Sequence, residues 1–156
     1  MTRRSRAREV ALQLLFQFDS NPKVARPDLE SFARDRIRDA VLEPYCLSLF
    51  DGVQRHRKEI DQSLTEAAEN WRLHRMAGVD RNVLRIGAYE LLFAPDVPVA
   101  AAINEAIELA RRYGAKDSPS FVNGVLDRIA RARPAGVLDN GLPAAAVPAE
   151  PSPELL

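Results

Sequence analysis

Apolar residues recur at intervals of three and four positions along most of the chain. The interval is clearest at positions 10, 14 and 18, at 83, 84, 88 and 91, and at 103, 107 and 110. This spacing places apolar side chains on one face of an α-helix, where they can pack into a core. No stretch of the sequence shows the sustained two-residue alternation of a half-buried strand. The pattern therefore predicts an all-α fold.

Breaks in the pattern divide it into seven predicted helices. We place them at about 3–18, 28–42, 45–56, 58–70, 80–94, 99–113 and 119–132, with ends defined to about 2–4 residues. Prolines 27, 44, 98 and 119 lie near predicted starts, where a missing amide proton costs little. We expect Gly114 to end the sixth helix in a left-handed conformation and Ser118 to cap the seventh. The helices form a first group of three and a later group of four.

Length and composition indicate one globular domain followed by a tail. The chain has 156 residues, of which 46% are hydrophobic, enough for one substantial core but not for two large domains. Residues 134–156 hold five of the eleven prolines and many small residues, without a helical stripe. We therefore predict a helical domain over residues 1–133 and a disordered Pro/Ala-rich tail over residues 134–156.

Charge is balanced overall but uneven along the chain. The 22 basic and 22 acidic side chains cancel, yet residues 134–156 contain three acids and no Lys or Arg, which leaves a formal +3 on the first 133 residues. Four arginines, Arg3, Arg4, Arg6 and Arg8, precede the first acid, Glu9. Cations at a helix N-terminus oppose the helix dipole by about 0.3–1 kcal/mol each, so local stability does not explain them. Two interpretations remain, a solvated and frayed terminus or an arm that binds RNA phosphates.

The few sulfur and imidazole side chains argue against disulfides and metal sites. Cys46 is the single cysteine and His56 and His74 are the only histidines, so no disulfide and no usual Cys/His cluster can form within the chain. We expect both histidines at the surface and no cofactor. No apolar run approaches the ~20 residues that span a bilayer, and no signal-peptide pattern follows the basic start. These features predict a cytoplasmic protein with no membrane partner.

The sequence offers little support for catalysis. Glu105 lies in the middle of a predicted helix, where we expect it to pair with an arginine such as Arg81 or Arg85 or to cap a neighbouring turn. It is accompanied by no second carboxylate at a defined spacing, no nucleophile beside a histidine and no glycine-rich phosphate loop. Trp71 reads as a packing anchor between the helix groups, and Gly124 as a site of close helix packing. We predict that the chain is not an enzyme.

A second candidate site opens the last predicted helix. Exposed amides at a helix start bind anions, so the turn containing Lys116, Asp117 and Ser118 can receive a phosphate. Phe121 follows in the first turn, where an aromatic ring can stack on a base. Judged on spacing alone, Phe121 is better explained as core, because Val122 and Val125 continue an apolar face.

The second half of the chain resembles the NusB family. Residues 84–91 read LRI-x-x-YEL, residues 103–110 read INEA-x-ELA, and residues 117–127 read DS-x-x-FVNGVLD. The arginine-rich start, residues 4–9, is also similar to that family, although Ser5 interrupts the run where relatives often have a further basic residue. The resemblance extends from about Arg3 to Arg133 and does not include the tail.

The resemblance implies a fold, a function and partners. The family has seven helices in two packed subdomains and acts in transcription antitermination, binding single-stranded boxA-type RNA of nascent ribosomal RNA together with the ribosomal protein NusE in the transcription elongation complex. It places the four N-terminal arginines and the turn of residues 116–121 on the RNA surface, and it places Asp80 on the face toward NusE. Judged by its position alone, Asp80 stabilises the start of its helix through the helix dipole. Two alternatives are a helical protein-interaction adaptor and a NusB-like module of an RNA methyltransferase, for which nothing after Arg133 supplies a catalytic domain.

Overall fold

The computed structural model describes residues 2–132, and this part of the chain forms seven α-helices and one 3-10 turn but no strand. The helices are α1 (Arg3–Ser20), α2 (Arg26–Ile37), α3 (Leu42–Arg55), α4 (Arg57–Ala67), α5 (Gly78–Phe93), α6 (Val99–Tyr113) and α7 (Ser118–Arg131), with the 3-10 turn at Leu73–Arg75. The predicted all-α fold is confirmed. The predicted tail, residues 134–156, and the boundary that sets it off lie outside the described residues.

Two helix ends near residue 40 differ from the prediction. Helix α2 ends at Ile37, because Arg38 adopts a left-handed conformation with φ 51° and ψ 44°. Helix α3 then begins at Leu42, earlier than predicted. Asp39 stabilises this start, since its Oδ1 accepts hydrogen bonds from the amides of Val41 at 2.8 Å and Leu42 at 3.1 Å. No glycine marks this break, so the apolar pattern alone placed it too late.

The helices pack as two groups joined by α5. Helices α1, α2 and α3 contact one another, α5 and α7 contact each other and both α4 and α6, and α5 also lies against α1 and α3. Buried apolar side chains from both groups form one continuous core, which includes Leu14 of α1, Val53 of α3, Leu84 of α5 and Leu126 of α7. The α5 helix therefore fixes the start of α1 relative to the turn before α7.

Small residues allow close approach at α5 but not at the predicted position in α7. A Cβ on Gly87 would lie 2.6 Å from Leu126 Cδ1 and 3.4 Å from Ala106 Cβ, so Gly87 is where α5, α6 and α7 meet. A Cβ on Gly124 would have only the Arg128 side chain within reach, at 3.8 Å. The expectation that Gly124 serves close helix packing is therefore wrong.

Trp71 and His56 also differ from the sequence interpretation. Trp71 is 57% exposed in the link between α4 and α5, so it does not anchor the two groups. His56 is half-buried at the junction of α3 and α4, where its ring stacks on Phe93 with centroids 3.9 Å apart. His74 is exposed, as expected. Among the helices of residues 2–132, none is both long and apolar enough to cross a bilayer.

Candidate nucleic-acid interface

The four N-terminal arginines separate into an exposed set and one buried member. Side chains of Arg3, Arg4 and Arg6 are 67%, 51% and 39% exposed, whereas that of Arg8 is 5% exposed. All four lie on an ordered helix, because the Thr2 hydroxyl accepts the Ser5 amide at 3.0 Å and caps α1. We call Arg3, Arg4 and Arg6 the arginine arm. Its cations are presented from a fixed helix start.

Each guanidinium of the arm rests against a carboxylate. The nearest nitrogen-to-oxygen distances are 2.7 Å for Arg3 with Asp39, 3.5 Å for Arg4 with Asp96 and 2.5 Å for Arg6 with Glu9. Arg4 also lies over the ring of Tyr45, with its Cζ 4.6 Å from the ring centroid. The pairs of Arg3 and Arg4 are largely exposed and contribute little to stability, so an incoming phosphate can replace their carboxylates at small cost, whereas the Glu9 carboxylate is only 6% exposed.

Arg8 departs from the expectation of an RNA contact because it belongs to a buried network. Its Nε lies 2.9 and 3.1 Å from the two carboxylate oxygens of Glu90, and its Nη2 lies 2.9 Å from Oε2. The Tyr45 hydroxyl donates to the same carboxylate at 3.2 Å. Burial raises the pKa of Glu90, and the bonds from Arg8 oppose that rise. We therefore remove Arg8 from the surface offered to RNA.

Glu105 belongs to the same network: it pairs with an arginine, as predicted, but that arginine is Arg8 and neither of the two named as examples. Its carboxylate lies 3.6 Å from Arg8 Nη1 and accepts a hydrogen bond from the Ser5 hydroxyl at 2.6 Å. Arg85 instead binds Asp61, at 2.9 and 3.0 Å. Glu105 thus connects α6 to the start of α1 and helps to hold in place the helix turn that carries the arginine arm.

One further arginine, Arg112, which the sequence interpretation missed, extends the basic surface. Arg6 donates to the backbone carbonyl of Arg36 at 3.1 Å, which places the end of α2 beside the arm, while the Arg36 guanidinium itself lies over the Phe32 ring. Arg112, 47% exposed at the end of α6, lies 3.6 Å from the Glu9 carboxylate, which also accepts a hydrogen bond from Tyr113. No spacing rule connects positions so far apart in sequence, and only the packing of α1 on α2 and α6 brings them together.

The turn before α7 is built differently from the prediction. Gly114 is extended, with φ −94° and ψ −170°, and its Cβ position would lie 2.6 Å from Ser118 Oγ and 2.8 Å from the Ala110 carbonyl. Close contact, not a left-handed conformation, therefore favours glycine there. Ser118 is the first residue of α7 instead of its cap, and its buried hydroxyl accepts the Ala115 amide at 2.9 Å. Ser118 shapes the turn, and its side chain is not presented to a ligand.

A small cavity lies where this turn meets the start of α5. Its volume is about 240 Å³, and Trp71, Asp80, Asp117, Ser118 and Phe121 are among the residues that line it. We call it the α5–α7 cavity. The structure therefore brings together Asp80, predicted to meet a protein partner, and three residues predicted to meet RNA. Lys116 is exposed in the same turn but does not line the cavity.

Two features of the α5–α7 cavity suit a ligand. The rings of Trp71 and Phe121 meet edge to face, with centroids 5.8 Å apart, and Trp71 is largely exposed. Phe121 is half-buried and packs against the core while it also lines the cavity. In the first turn of α5, Asp80 Oδ1 is buried and has no hydrogen-bond partner among the described residues. The cavity thus offers an aromatic surface and an acceptor that lacks a donor.

Comparisons with known proteins identify relatives over nearly the whole described chain. The chain is 46% identical over 130 residues to a transcription antitermination protein NusB of Sorangium cellulosum, covering 83% of this chain and 93% of that protein. A structure of T. maritima NusB matches with a TM-score of 0.74 and 37% identity, covering 85% of this chain and 92% of that one. A complex of antitermination factors NusB and NusE with double-stranded RNA contains a chain that matches with a TM-score of 0.76 and 27% identity, over 85% of this chain and 98% of that one.

These relatives decide between the interpretations of the sequence. They are antitermination proteins of similar length and not enzymes, which confirms the prediction that the chain is not an enzyme and argues against a methyltransferase module. The family model described as "NusB family" matches residues 5–131, from the arginine arm to the last residue of α7. The chain belongs to the NusB family.

Proposed function

We propose that this chain is an RNA-binding transcription antitermination factor that pairs with NusE to bind boxA-type RNA of nascent ribosomal RNA transcripts, in the cytoplasm and within the elongation complex. The relative solved together with NusE and RNA supports both partners. The observation that carries the proposal is the arginine arm: three exposed guanidinium groups on a capped helix start, extended by Arg112.

Phosphates and bases would be bound by different parts of this surface. The arm supplies cations that bind phosphates, and Lys116 with the start of α7 supplies a second point for an anion. The Trp71 and Phe121 rings of the α5–α7 cavity supply a stacking surface, which favours unpaired bases over a closed duplex. NusE would meet Asp80, whose unpaired carboxylate oxygen can accept a hydrogen bond from the partner.

The first test replaces two residues of the arm together, Arg4→Ala and Arg6→Ala. Each phosphate contact with single-stranded RNA contributes about 0.7 to the slope of log affinity against log salt, so losing two should flatten the slope by about 1.4. Fluorescence anisotropy with a boxA-type RNA over a range of salt concentrations measures this change. The melting temperature should change little, because the Arg4 pair is exposed and the buried Glu9 carboxylate keeps Tyr113 and Arg112 as partners when Arg6 is removed.

A matched control replaces two exposed arginines that lie outside the arm. Arg26 and Arg131 are also exposed arginines that pair with carboxylates, Asp51 and Asp127. Replacing both by Ala should leave the salt slope of the RNA affinity unchanged. Equal slopes for the arm variant and the wild type would remove the arm from the RNA surface, and failure of the wild type to bind boxA-type RNA, with or without NusE, would reject the proposed function.

The second test asks whether Phe121 binds a base or only fills the core. If its ring stacks on RNA, Phe121→Ala should weaken RNA binding by about 1–3 kcal/mol and leave the salt slope unchanged, because stacking releases no counterions. If the ring serves only the core, the substitution should instead lower the free energy of unfolding by about 3–5 kcal/mol. Competition by double-stranded RNA then shows whether unpaired bases are preferred.

A further inference from the structure

A second aromatic cavity lies beside the arginine arm. It has a volume of about 300 Å³ and lies between α3, the end of α5 and the loop that follows α5. Three aromatic rings line it: Tyr45 on α3, and Tyr89 and Phe93 on α5. Two polar side chains also line it, Asp96 in the loop and Ser48 at the surface of α3. We call it the α3–α5 cavity. None of these residues was assigned a role from the sequence.

Arg4 connects this cavity to the arm. Its guanidinium stacks over the Tyr45 ring with Cζ 4.6 Å from the centroid, and its Nη2 lies 3.5 Å from the Asp96 carboxylate. Both Tyr45 and Asp96 line the cavity. A strand whose phosphate takes the place of Asp96 on Arg4 therefore has a base within reach of the cavity.

The rings of the cavity are held in place by the fold. The Tyr45 hydroxyl donates to buried Glu90, and burial with this neighbour raises the pKa of Tyr45 to about 12, so the donor is retained at neutral pH. The Tyr89 ring lies against α3 where only glycine fits, since a Cβ on Gly52 would be 2.3 Å from its Cζ. Phe93 is fixed by the stacked His56 ring. The aromatic surface therefore exists before any ligand arrives.

We propose that the α3–α5 cavity binds one unpaired RNA base that carries an exocyclic amino group, adjacent to the phosphate held by Arg4. The aromatic rings would stack on the base, and Asp96 would accept a hydrogen bond from the amino group, as carboxylates do with cytosine. Uracil has a carbonyl at that position and would face Asp96 without a donor. This inference rests on the proposed RNA-binding function and adds a base-selective subsite to it.

The first experiment fills the cavity with Ser48→Trp. Ser48 is exposed and its hydroxyl bonds only to the carbonyl of Tyr45 in the same helix, at 2.7 Å, so the fold should tolerate the change. Loss of one stacked base should weaken binding of a boxA-type RNA by about 5-fold to about 150-fold. The salt slope should equal that of the wild type, because the arm is intact.

The matched control is Ser20→Trp, the same substitution at the last residue of α1. That position is exposed and lies sixteen residues beyond Arg4 on one helix, a separation of about 24 Å. It should bind RNA like the wild type. If Ser48→Trp also binds RNA like the wild type, the cavity assignment is wrong, and if it instead weakens NusE binding alone, the cavity serves a protein side chain and not a base.

The second experiment tests the amino group by pairing protein and RNA changes. Each boxA nucleotide is replaced in turn by an analogue without the amino group: uridine for cytidine, inosine for guanosine, purine riboside for adenosine. At one RNA position, removal of the amino group should greatly weaken binding to the wild type but hardly weaken binding to Asp96→Ala. The effects of the RNA change and the protein change on the binding free energy are then not additive. Additive effects at every position would reject the amino contact.

The two proposals fail in different ways. If the wild type does not bind RNA, with or without NusE, the proposed function fails and the subsite fails with it. If the wild type binds RNA but the Arg4 and Arg6 double variant keeps its affinity and salt slope, the function stands, the arm is removed from the RNA surface, and the subsite fails because it depends on Arg4. If the arm variant loses RNA affinity while Ser48→Trp does not, the function stands and only the α3–α5 cavity is excluded as a base site.

Discussion

Four arginines within six positions perform two different tasks, and their position along α1 decides which. Arg8 lies within residues 7–12, all of which are buried, whereas Arg3, Arg4 and Arg6 lie in the exposed to half-buried first turn. Helical spacing alone does not separate the two sets, because Arg4 lies on the same helix face, four residues before Arg8. The partner of Arg8 could not have been predicted, because Glu90 is 82 residues away.

The buried pair predicts a specific response to Arg8→Ala. Glu90 is 1% exposed, so removal of Arg8 would leave a buried carboxylate without its counterion and should lower the free energy of unfolding by about 3–5 kcal/mol at neutral pH. The pKa of Glu90, already raised by burial, should rise further once Arg8 no longer opposes it. A folded-state pKa above that of the unfolded chain means that the folded state binds the extra proton, so acidification stabilises the variant relative to neutral pH through this group.

Urea unfolding of wild type and variant at neutral and mildly acidic pH measures the difference. The difference in the free energy of unfolding between the wild type and Arg8→Ala should become smaller as the pH falls toward the pKa of Glu90. Arg3→Ala, which removes an exposed pair with Asp39, should change stability by less than about 1 kcal/mol at either pH. A deficit that does not depend on pH would show that Glu90 is not the group left uncompensated.

At the scale of elements, the apolar pattern located the helices better than it located their ends. Helix α6 begins at Val99 and ends at Tyr113, as predicted, because Pro98 and Gly114 bound it on both sides. The end of α2 was missed, since Arg38 takes a left-handed conformation that arginine rarely adopts and no sequence signal announces it. Proline and glycine located both ends of α6, but Pro44 did not mark the start of α3, which begins two residues before it, so tertiary contacts decide the remaining ends.

Two helix glycines should respond in opposite directions to alanine. Gly87→Ala places a Cβ 2.6 Å from Cδ1 of Leu126, a fully buried side chain, and 3.4 Å from Ala106 Cβ, so the variant should lose about 1–3 kcal/mol of stability. Gly124→Ala meets only the Arg128 side chain at 3.8 Å and should gain up to about 1 kcal/mol from helix propensity. Thermal unfolding of the two variants tests both signs, and a stable Gly87→Ala would mean that α5 and α7 can separate without cost.

At the scale of the whole molecule, α1 and α6 connect the two parts of the proposed RNA surface. Ser5 and Glu9 of α1 bond to Glu105 and Tyr113 of α6, and α6 leads directly into the turn before α7. The sequence predicted the fold class and the helix number, while the residues it assigned to RNA remain a prediction. It could not predict that Asp80 shares a cavity with Phe121, because that contact depends on how α5 and α7 pack.

This shared cavity leads to a prediction about the partner. Asp80→Lys should weaken NusE binding strongly, because it replaces an unpaired buried acceptor with a cation, while the isolated protein stays folded. Reversing the charge in the first turn of α5 should cost only about 1 kcal/mol through the helix dipole. The affinity for RNA alone should not fall, since the new charge has the sign opposite to that of phosphate.

Calorimetry with NusE and fluorescence anisotropy with RNA measure the two affinities of Asp80→Lys separately. The matched control is Asp28→Lys. Asp28 occupies the first turn of α2 and is exposed, so its reversal carries the same dipole cost away from the cavity. If Asp80→Lys binds NusE like the wild type, Asp80 is not part of the NusE interface. If the melting temperature, the NusE affinity and the RNA affinity all fall together, the role of Asp80 is structural. If NusE binding alone falls, then RNA affinity measured with NusE present should fall with it, because two ligands that meet at one cavity are thermodynamically linked.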